Sequence, residues 1–261
     1  MADRRSARSI VITGASSGLG AALATAYAGP GITLGLLGRN PARLAATESA
    51  CRTRGAAVRV GALDVAEAAP LAAWLDDFDR ATPIELLVAN AGISAGPAPR
   101  GASEGLEIAA RQVRTNLLGA MNTIEPLLPT LVGRRRGHVA VVSSLAGYRG
   151  LAYSPAYSAS KAGTRAYGEA LRALLEPHGV AVSVICPGFF ESPMTDRFKG
   201  PHPFRLSLDR ATAIVKRGLD RRQRRIVFPW PLAFGMRCAD LMPAWLGDRI
   251  IRNFHFHIEP P

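Results

Sequence analysis

Lysine and cysteine are both scarce in this 261-residue chain, with three of each. No apolar run approaches the roughly twenty residues that cross a bilayer as a helix. Cys51, Cys186 and Cys238 are odd in number and far apart, which fits neither a disulfide framework nor a metal cluster and suits reduced thiols. No metal site is expected. The opening MADRRSARSIVITG passes from a charged tip straight into a strand-like run. It lacks the apolar core and small-residue cleavage site of a secretory signal, so a cytoplasmic location is expected.

The scarcity of lysine also colours the charge. A formal net charge of +12 raises nucleic acid or an anionic membrane surface as a partner. The excess is almost wholly arginine, scattered through an alanine-rich chain, so a solvated basic surface is the plainer reading and nucleic acid is disfavoured. Two runs stand out, Arg134-Arg135-Arg136 and Arg221-Arg222 with Arg224-Arg225.

Length and a 48% apolar content suit one domain spanning 1–261, too short for two enzymatic ones. Short β-branched or apolar runs fall at 9–12, 32–37, 57–62, 86–89, 138–142, 181–186 and 225–228. Helical-period stretches lie between them at 19–28, 41–54, 66–79, 113–132, 156–176 and 208–219. Such alternation predicts an α/β fold: a Rossmann-like, doubly wound parallel sheet of about seven strands with helices on both faces. Asn40-Pro41 reads as a cap followed by a first-turn proline. The stretch 188–210, rich in Pro, Phe and Gly and without regular period, is expected to be a functional or mobile substrate loop.

The first strand runs into Thr13-Gly14-Ala15-Ser16-Ser17-Gly18-Leu19-Gly20. Glycines here permit a sharp turn, bring backbone N–H groups to a pyrophosphate and let the helix pack on the sheet. The positive end of the helix then faces the phosphates. Alone such a turn is weak evidence; between the first strand and first helix of this pattern it points to a dinucleotide. The spacing Gly-x-x-x-Gly-x-Gly resembles the short-chain dehydrogenase/reductase family. Asp64-Val65 resembles that family's adenine-contacting pair, and Asn90-Ala91-Gly92 its cofactor-facing turn. The second strand ends Gly38-Arg39-Asn40 with no carboxylate for a ribose 2′-hydroxyl, and Arg39 offers a fork of donors to a 2′-phosphate. The cofactor expected is therefore NADP rather than NAD, although Arg39 stacking on adenine is the other reading.

Tyr157-Ser158-Ala159-Ser160-Lys161 places a phenol and an ammonium four residues apart, on one helical face. A free tyrosine titrates near 10, and a cation held close favours the phenolate. Tyr157 is then the proton-transfer residue for a carbonyl or alcohol, and Lys161 the group that lowers its pKa and bonds the nicotinamide ribose. By family resemblance Ser144, thirteen positions before the tyrosine, binds the same substrate oxygen, in preference to Ser143. The resemblance likewise assigns Asn116 to a fourth catalytic position, holding a relay water to Lys161. Pro187-Gly188, and Ser192 where the family often has a carboxamide-touching threonine, complete the pattern. The cofactor set is thus Gly14, Ser16, Ser17, Gly18, Leu19, Gly20, Arg39, Asp64, Val65, Asn90, Ala91, Gly92, Tyr157, Lys161, Pro187, Gly188 and Ser192.

Together these imply an NADP-dependent carbonyl reductase or alcohol dehydrogenase, with a non-enzymatic NADP-binding regulator as the alternative. Tyr153, Phe189, Phe190, Met194, Phe198, Pro201, His202, Pro203 and Phe204 either line an apolar substrate pocket or anchor the loop to the core. The segment 228–261, with Trp230, Trp245 and interspersed arginines, reads as a pocket cover, a subunit contact or an interfacial membrane element. The family resemblance implies a homodimer or homotetramer built through helices 113–132 and 156–176.

Overall fold

The structure, a computed structural model, describes residues 7–97, 103–252 and 257–258. Seven strands form one parallel sheet: β1 (Ser9–Thr13), β2 (Thr33–Gly38), β3 (Ala57–Ala62), β4 (Leu86–Ala89), β5 (Gly137–Val142), β6 (Val180–Pro187) and β8 (Arg225–Phe228). Their order is β3-β2-β1-β4-β5-β6-β8. Side chains alternate across each strand, so β1 sends Ile10 and Ile12 into one core layer and Val11 into the other. The first layer receives Leu19 and Leu23 of α1 (Gly18–Tyr27), Leu44 of α2 (Pro41–Thr53) and Val215 of α8 (Leu208–Asp220). The second receives Leu71, Leu75 and Phe78 of α3 (Ala68–Ala81) and Leu171 of α7 (Pro155–Leu175). The expected fold class is what the chain adopts.

One predicted segment needs correction. The helix expected at 113–132 starts earlier and is not regular. It runs as α4 (Leu106–Val113), a π-turn at Arg114–Leu118, α5 (Gly119–Ile124), a 3-10 turn at Glu125–Leu127 and α6 (Leu128–Arg134). Pro126 and Pro129 cannot donate to the i−4 ladder, which breaks the second half. The C-terminal segment, read from sequence as a pocket cover, a subunit contact or an interfacial element, contains α9 (Trp230–Leu241) and α10 (Ala244–Arg252). Pro231 is tolerated in the first turn of α9 and Pro243 separates the two helices. The substrate loop also holds structure, a 3-10 turn at Thr195–Arg197 and β7 (Phe198–Lys199), which pairs antiparallel with β9 (His257–Ile258).

Arginines of both basic runs have partners within the fold. Arg134 forks onto Asp79 at 2.9 and 3.1 Å, Arg136 pairs with Glu85 at 2.8 Å and Arg135 donates to the Pro177 carbonyl. Arg225 pairs with Glu169 and Arg224 with Glu176. All three cysteines are free, no described helix is long and apolar enough to cross a membrane, and no metal-ligating cluster occurs among the described residues.

Asp79 is buried and also accepts from the Ile84 N–H at 2.8 Å, so it pins the end of α3 to the approach of β4 and to α6. Asp79→Ala strands the Arg134 guanidinium and a buried N–H, and should cost about 3 kcal/mol in urea unfolding. A loss under about 1 kcal/mol would show the pair to be structurally idle.

Candidate active site

The site opens where β1 and β4 end side by side. The Thr13 hydroxyl accepts from the Asn90 and Ala91 N–H groups at 3.0 and 3.2 Å, and the Asn90 amide donates to the Thr13 carbonyl at 2.9 Å. Gly14 sits at φ 67°, and a Cβ there would lie 2.8 Å from the Ala91 Cα. A Cβ on Gly20 would come within 2.3 Å of the Gly14 carbonyl. The turn is therefore wrapped as tightly as glycine allows. Ser17 stands at the N-cap of α1 but makes no side-chain capping bond, leaving first-turn N–H groups open to an anion.

Beside this turn β2 delivers Arg39, half exposed and 3.6 Å from the Asp64 carboxylate. Asn40 caps α2, its Oδ1 accepting from the Arg43 N–H at 2.9 Å. Arg43 therefore stands in the first turn, and it lines the cavity together with Arg39. Sequence reasoning missed it. The signal was the Asn40-Pro41 cap, which fixes where the helix begins and so places residue 43 next to residue 39. Asp64 is held by the Ala66 N–H at 3.0 Å, and Val65 packs against Gly119.

At the other end α7 carries Tyr157 and Lys161 one turn apart. The Lys161 Nζ lies 5.9 Å from the centre of the Tyr157 ring and donates to the Val142 carbonyl at 3.0 Å. Burial pushes the Lys161 ammonium down to about 8. Burial also raises the Tyr157 phenol above its ordinary value, against a hydrogen bond with Ser144 that lowers it. The expected depression of Tyr157 by Lys161 is thus not what the protein alone produces: desolvation of the phenolate outweighs it.

The two serines after β5 have separate tasks. Ser143 is buried and donates to the Lys161 carbonyl at 2.6 Å, fixing α7 to the strand end. Ser144 accepts from the Ala146 N–H at 3.1 Å and meets Tyr157, as the thirteen-residue spacing implied. Asn116 lies in the π-turn, a feature that often marks functional positions. Its amide accepts from the Ile93 N–H at 2.7 Å and donates at 2.9 Å to both the Ile93 carbonyl and the Ser160 hydroxyl. Both amide hydrogens and one acceptor site of its side chain thus meet protein partners, which stitches the β4 turn to α7. Thr164 donates to its main-chain carbonyl at 3.1 Å. Glu104, also missed, accepts from Gln112 and from the Ala156 N–H at 3.2 Å each, securing the start of α7. Burial raises its carboxyl.

A cavity of about 760 Å³ joins these parts. It runs past Gly14, Ser16, Ser17, Gly18, Leu19, Arg39, Asp64, Val65, Asn90, Ala91 and Gly92 to Ser144, Tyr157, Lys161, Pro187, Gly188 and Ser192. Gly20 and Asn116 stand behind that lining. Ser192 lies against Gly18, and its hydroxyl caps the next turn by accepting from the Thr195 N–H at 3.1 Å. Phe189, Phe190, Met194, Phe198, Pro201 and Pro203 supply an apolar wall, as do Leu232 and Met236 of α9, which the sequence did not single out. Tyr153, His202 and Phe204 are not part of this lining. His202 packs on Phe189 with ring centres 5.0 Å apart, and Phe204 points outward.

The family model for short chain dehydrogenases matches residues 8–201. An uncharacterized oxidoreductase of Myxococcus xanthus is 37% identical over 94% of this chain and 97% of its own length. The ketoacyl reductase HetN of a Nostoc strain is 36% identical over 70% of this chain and 63% of its own. Among solved structures, a short-chain dehydrogenase from Sphingobium yanoikuyae in complex with NADPH superposes with a TM-score of 0.76 at 24% identity. It covers 94% of this chain and 92% of that one. One from Mycobacterium paratuberculosis bound to NAD gives 0.74 at 21%, covering 84% and 94%. The chain belongs to the short-chain dehydrogenase family, and is an oxidoreductase of that kind.

Asn116 joins the β4 turn to α7 with three side-chain hydrogen bonds while almost wholly buried. Asn116→Ala should lower unfolding stability by about 2–4 kcal/mol, through stranded Ile93 and Ser160 groups. Denaturation indistinguishable from the parent would show that the stitch is dispensable.

Proposed function

We propose that this chain is an NADPH-dependent reductase of an apolar ketone or aldehyde, running as an alcohol dehydrogenase in reverse, with 1–261 acting as one domain. One observation carries the reading. Tyr157, Ser144 and Lys161 converge at one end of the same cavity whose other end presents Arg39 and Arg43. Solved neighbours in complex with NADPH or bound to NAD support a nicotinamide cofactor.

The cradle fits such a group. Gly14, Gly18 and Gly20 leave backbone where side chains would stand, and a Cβ on Gly92 would lie 3.2 Å from the Asn116 Oδ1 and 3.3 Å from the Lys161 Nζ. The dinucleotide would be held by Ser16, Ser17 and Leu19 at the α1 N-terminus. Asp64, Val65, Asn90 and Ala91 would flank its adenosine half, with Pro187, Gly188 and Ser192 at the nicotinamide. Arg39 and Arg43 would take the 2′-phosphate. When bound, the nicotinamide supplies or accepts hydride.

The chain's own residues manage the proton. Tyr157 gives its phenolic proton to the substrate oxygen, and Ser144 donates a hydrogen bond to that oxygen, fixing its position. Lys161, charged below about 8, stabilises the phenolate left behind and reaches the ribose. The raised phenol suits this direction, because Tyr157 then holds its proton at neutral pH. Asn116 keeps the tyrosine helix and the β4 turn in register. The phenylalanine, proline and methionine walls favour an apolar substrate over a charged one. Leu118 and Leu174, exposed on the helical run 106–134 and on α7, suit a subunit contact of a homodimer or homotetramer. Free cysteines throughout suit the cytoplasm.

Three measurements test this. In NADPH oxidation against ketones and aldehydes, Tyr157→Phe should lower kcat by about 10²–10⁴-fold. Cofactor binding with no turnover on any substrate would instead favour a regulator. Replacing Arg39 and Arg43 by alanine should raise the KM for NADPH at least about tenfold and leave NADH little changed; equal losses for both would refute the 2′-phosphate assignment. Reductive kcat/KM should be level below pH 8 and fall above it as Lys161 loses its proton. A profile flat well into the alkaline range would detach that limb from Lys161.

A further inference from the structure

The outer face of the C-terminal helices is unusual for a protein surface. Trp230, Phe234, Leu241 and Trp245 are 72, 63, 87 and 71% exposed. Large aromatic side chains concentrated in one short segment mark a surface that meets something other than water. Along α9 the positions 230, 234, 237 and 241 are spaced four, three and four apart, so Trp230, Phe234, Arg237 and Leu241 share one stripe. The opposite side of the same helix faces inward: Leu232 and Met236 line the cavity, while Ala233 and Ala239 are buried. A single helix thus has one apolar face in the pocket wall and a second facing out. On α10, Trp245 is a further exposed tryptophan.

The charges around this face have one sign left over. The two carboxylates of α9 and α10, Asp240 and Asp248, pair with Arg149, at 3.8 and 2.7 Å. Arg237 stays exposed while its guanidinium lies over the Tyr148 ring at 4.9 Å, and Arg165 lies over the same ring at 5.0 Å. That stacking ties α9 to the segment after Ser144. Arg249 is exposed as well.

We propose that the outer face of α9 and α10 docks this protein on an anionic lipid surface, with the tryptophans at the headgroup boundary and the arginines on the headgroups. Charge selects this occupant over a second copy of the chain. Stacking two such faces would bring Arg237 and Arg249 of one copy toward those of the other, whereas anionic headgroups meet them with the opposite sign. Tryptophan, phenylalanine and leucine beside arginine are the composition of an interfacial helix. The pocket wall lies on the reverse of the docked helix, so an apolar substrate dissolved in the lipid would have a short path to it.

The test is flotation of the whole chain with vesicles of phosphatidylcholine alone and of phosphatidylcholine mixed with phosphatidylglycerol. The protein should float with the mixed vesicles, its tryptophan emission shifting to shorter wavelength, and raised salt should weaken the association. Replacing Trp230, Phe234 and Trp245 together by alanine should lower vesicle affinity at least about tenfold, with thermal unfolding unchanged. If that variant unfolds, Trp245→Glu alone, at a well-exposed position, should give the same loss. Failure to bind anionic vesicles, equal binding to neutral ones, or binding undiminished in a folded variant would overturn the proposal. So would a vesicle-free dimer, seen by sedimentation, that the same substitutions abolish, since the occupant would then be a second copy. None of these readouts depends on turnover, so they stand apart from the catalytic reading.

Discussion

The joint between the ends of β1 and β4 is the constraint on which the rest of the site depends. Strand order reverses there, so the chain leaves the two strands toward opposite faces of the sheet and a crevice opens between them. An open crevice has no intrinsic stiffness. Here Thr13 and Asn90 close its floor through one hydroxyl and one amide, linking two turns 77 residues apart in sequence. From that floor a hydrogen-bonded series continues through Ile93 to Asn116, from Asn116 to the Ser160 hydroxyl, and from Ser160 to the Tyr157 carbonyl at 2.7 Å. The glycine turn and Tyr157 are therefore positioned by one connected network, not by two independent elements.

Burial acts on Tyr157 and Lys161 in opposite directions, and this is what makes the pair useful. Removing water disfavours the phenolate and the ammonium alike. The phenol keeps its proton more firmly, while the lysine releases its own more readily and falls to about 8. A tyrosine holding a proton beside a lysine still charged at neutral pH is poised to donate. In the proposed reaction, Tyr157 would ionise as the substrate oxygen takes its proton, with the Lys161 ammonium meeting the new negative charge. The same Val142 carbonyl that anchors the Lys161 ammonium prevents it from turning away.

The cofactor half of the site was legible in the sequence because its signals are local. Gly14 to Gly20 lie within one turn and one helix start, Arg39 follows its strand directly, and Tyr157 and Lys161 share a helical turn. Seven strands were also readable, since buried parallel strands are near-continuous apolar runs. The π-turn that places Asn116 was not, because helical periodicity does not register one extra residue per turn. Arg43 escaped because it belongs by sequence to a helix rather than to a binding turn. For Tyr153, His202 and Phe204 the choice between pocket wall and loop anchor stayed open in the sequence, because residue type does not say which side of a loop faces inward.

The substrate half was illegible for a different physical reason. Its walls come mainly from two segments distant in sequence, the stretch after β6 and α9, and β9 backs the first of them by pairing Ile258 with Phe198 of β7. Ile258 is almost fully buried and packs against Gly96, so the end of the chain, the turn after β4 and the substrate loop meet at one point. No local pattern predicts such a meeting. It also means that the shape of the pocket is set by contacts among loops, while the chemistry is set by the sheet and α7. Substitutions in those loops can change what enters without moving Tyr157, Ser144 or Lys161. The separation of a rigid reaction centre from a loop-built enclosure is how one fold can serve many substrates.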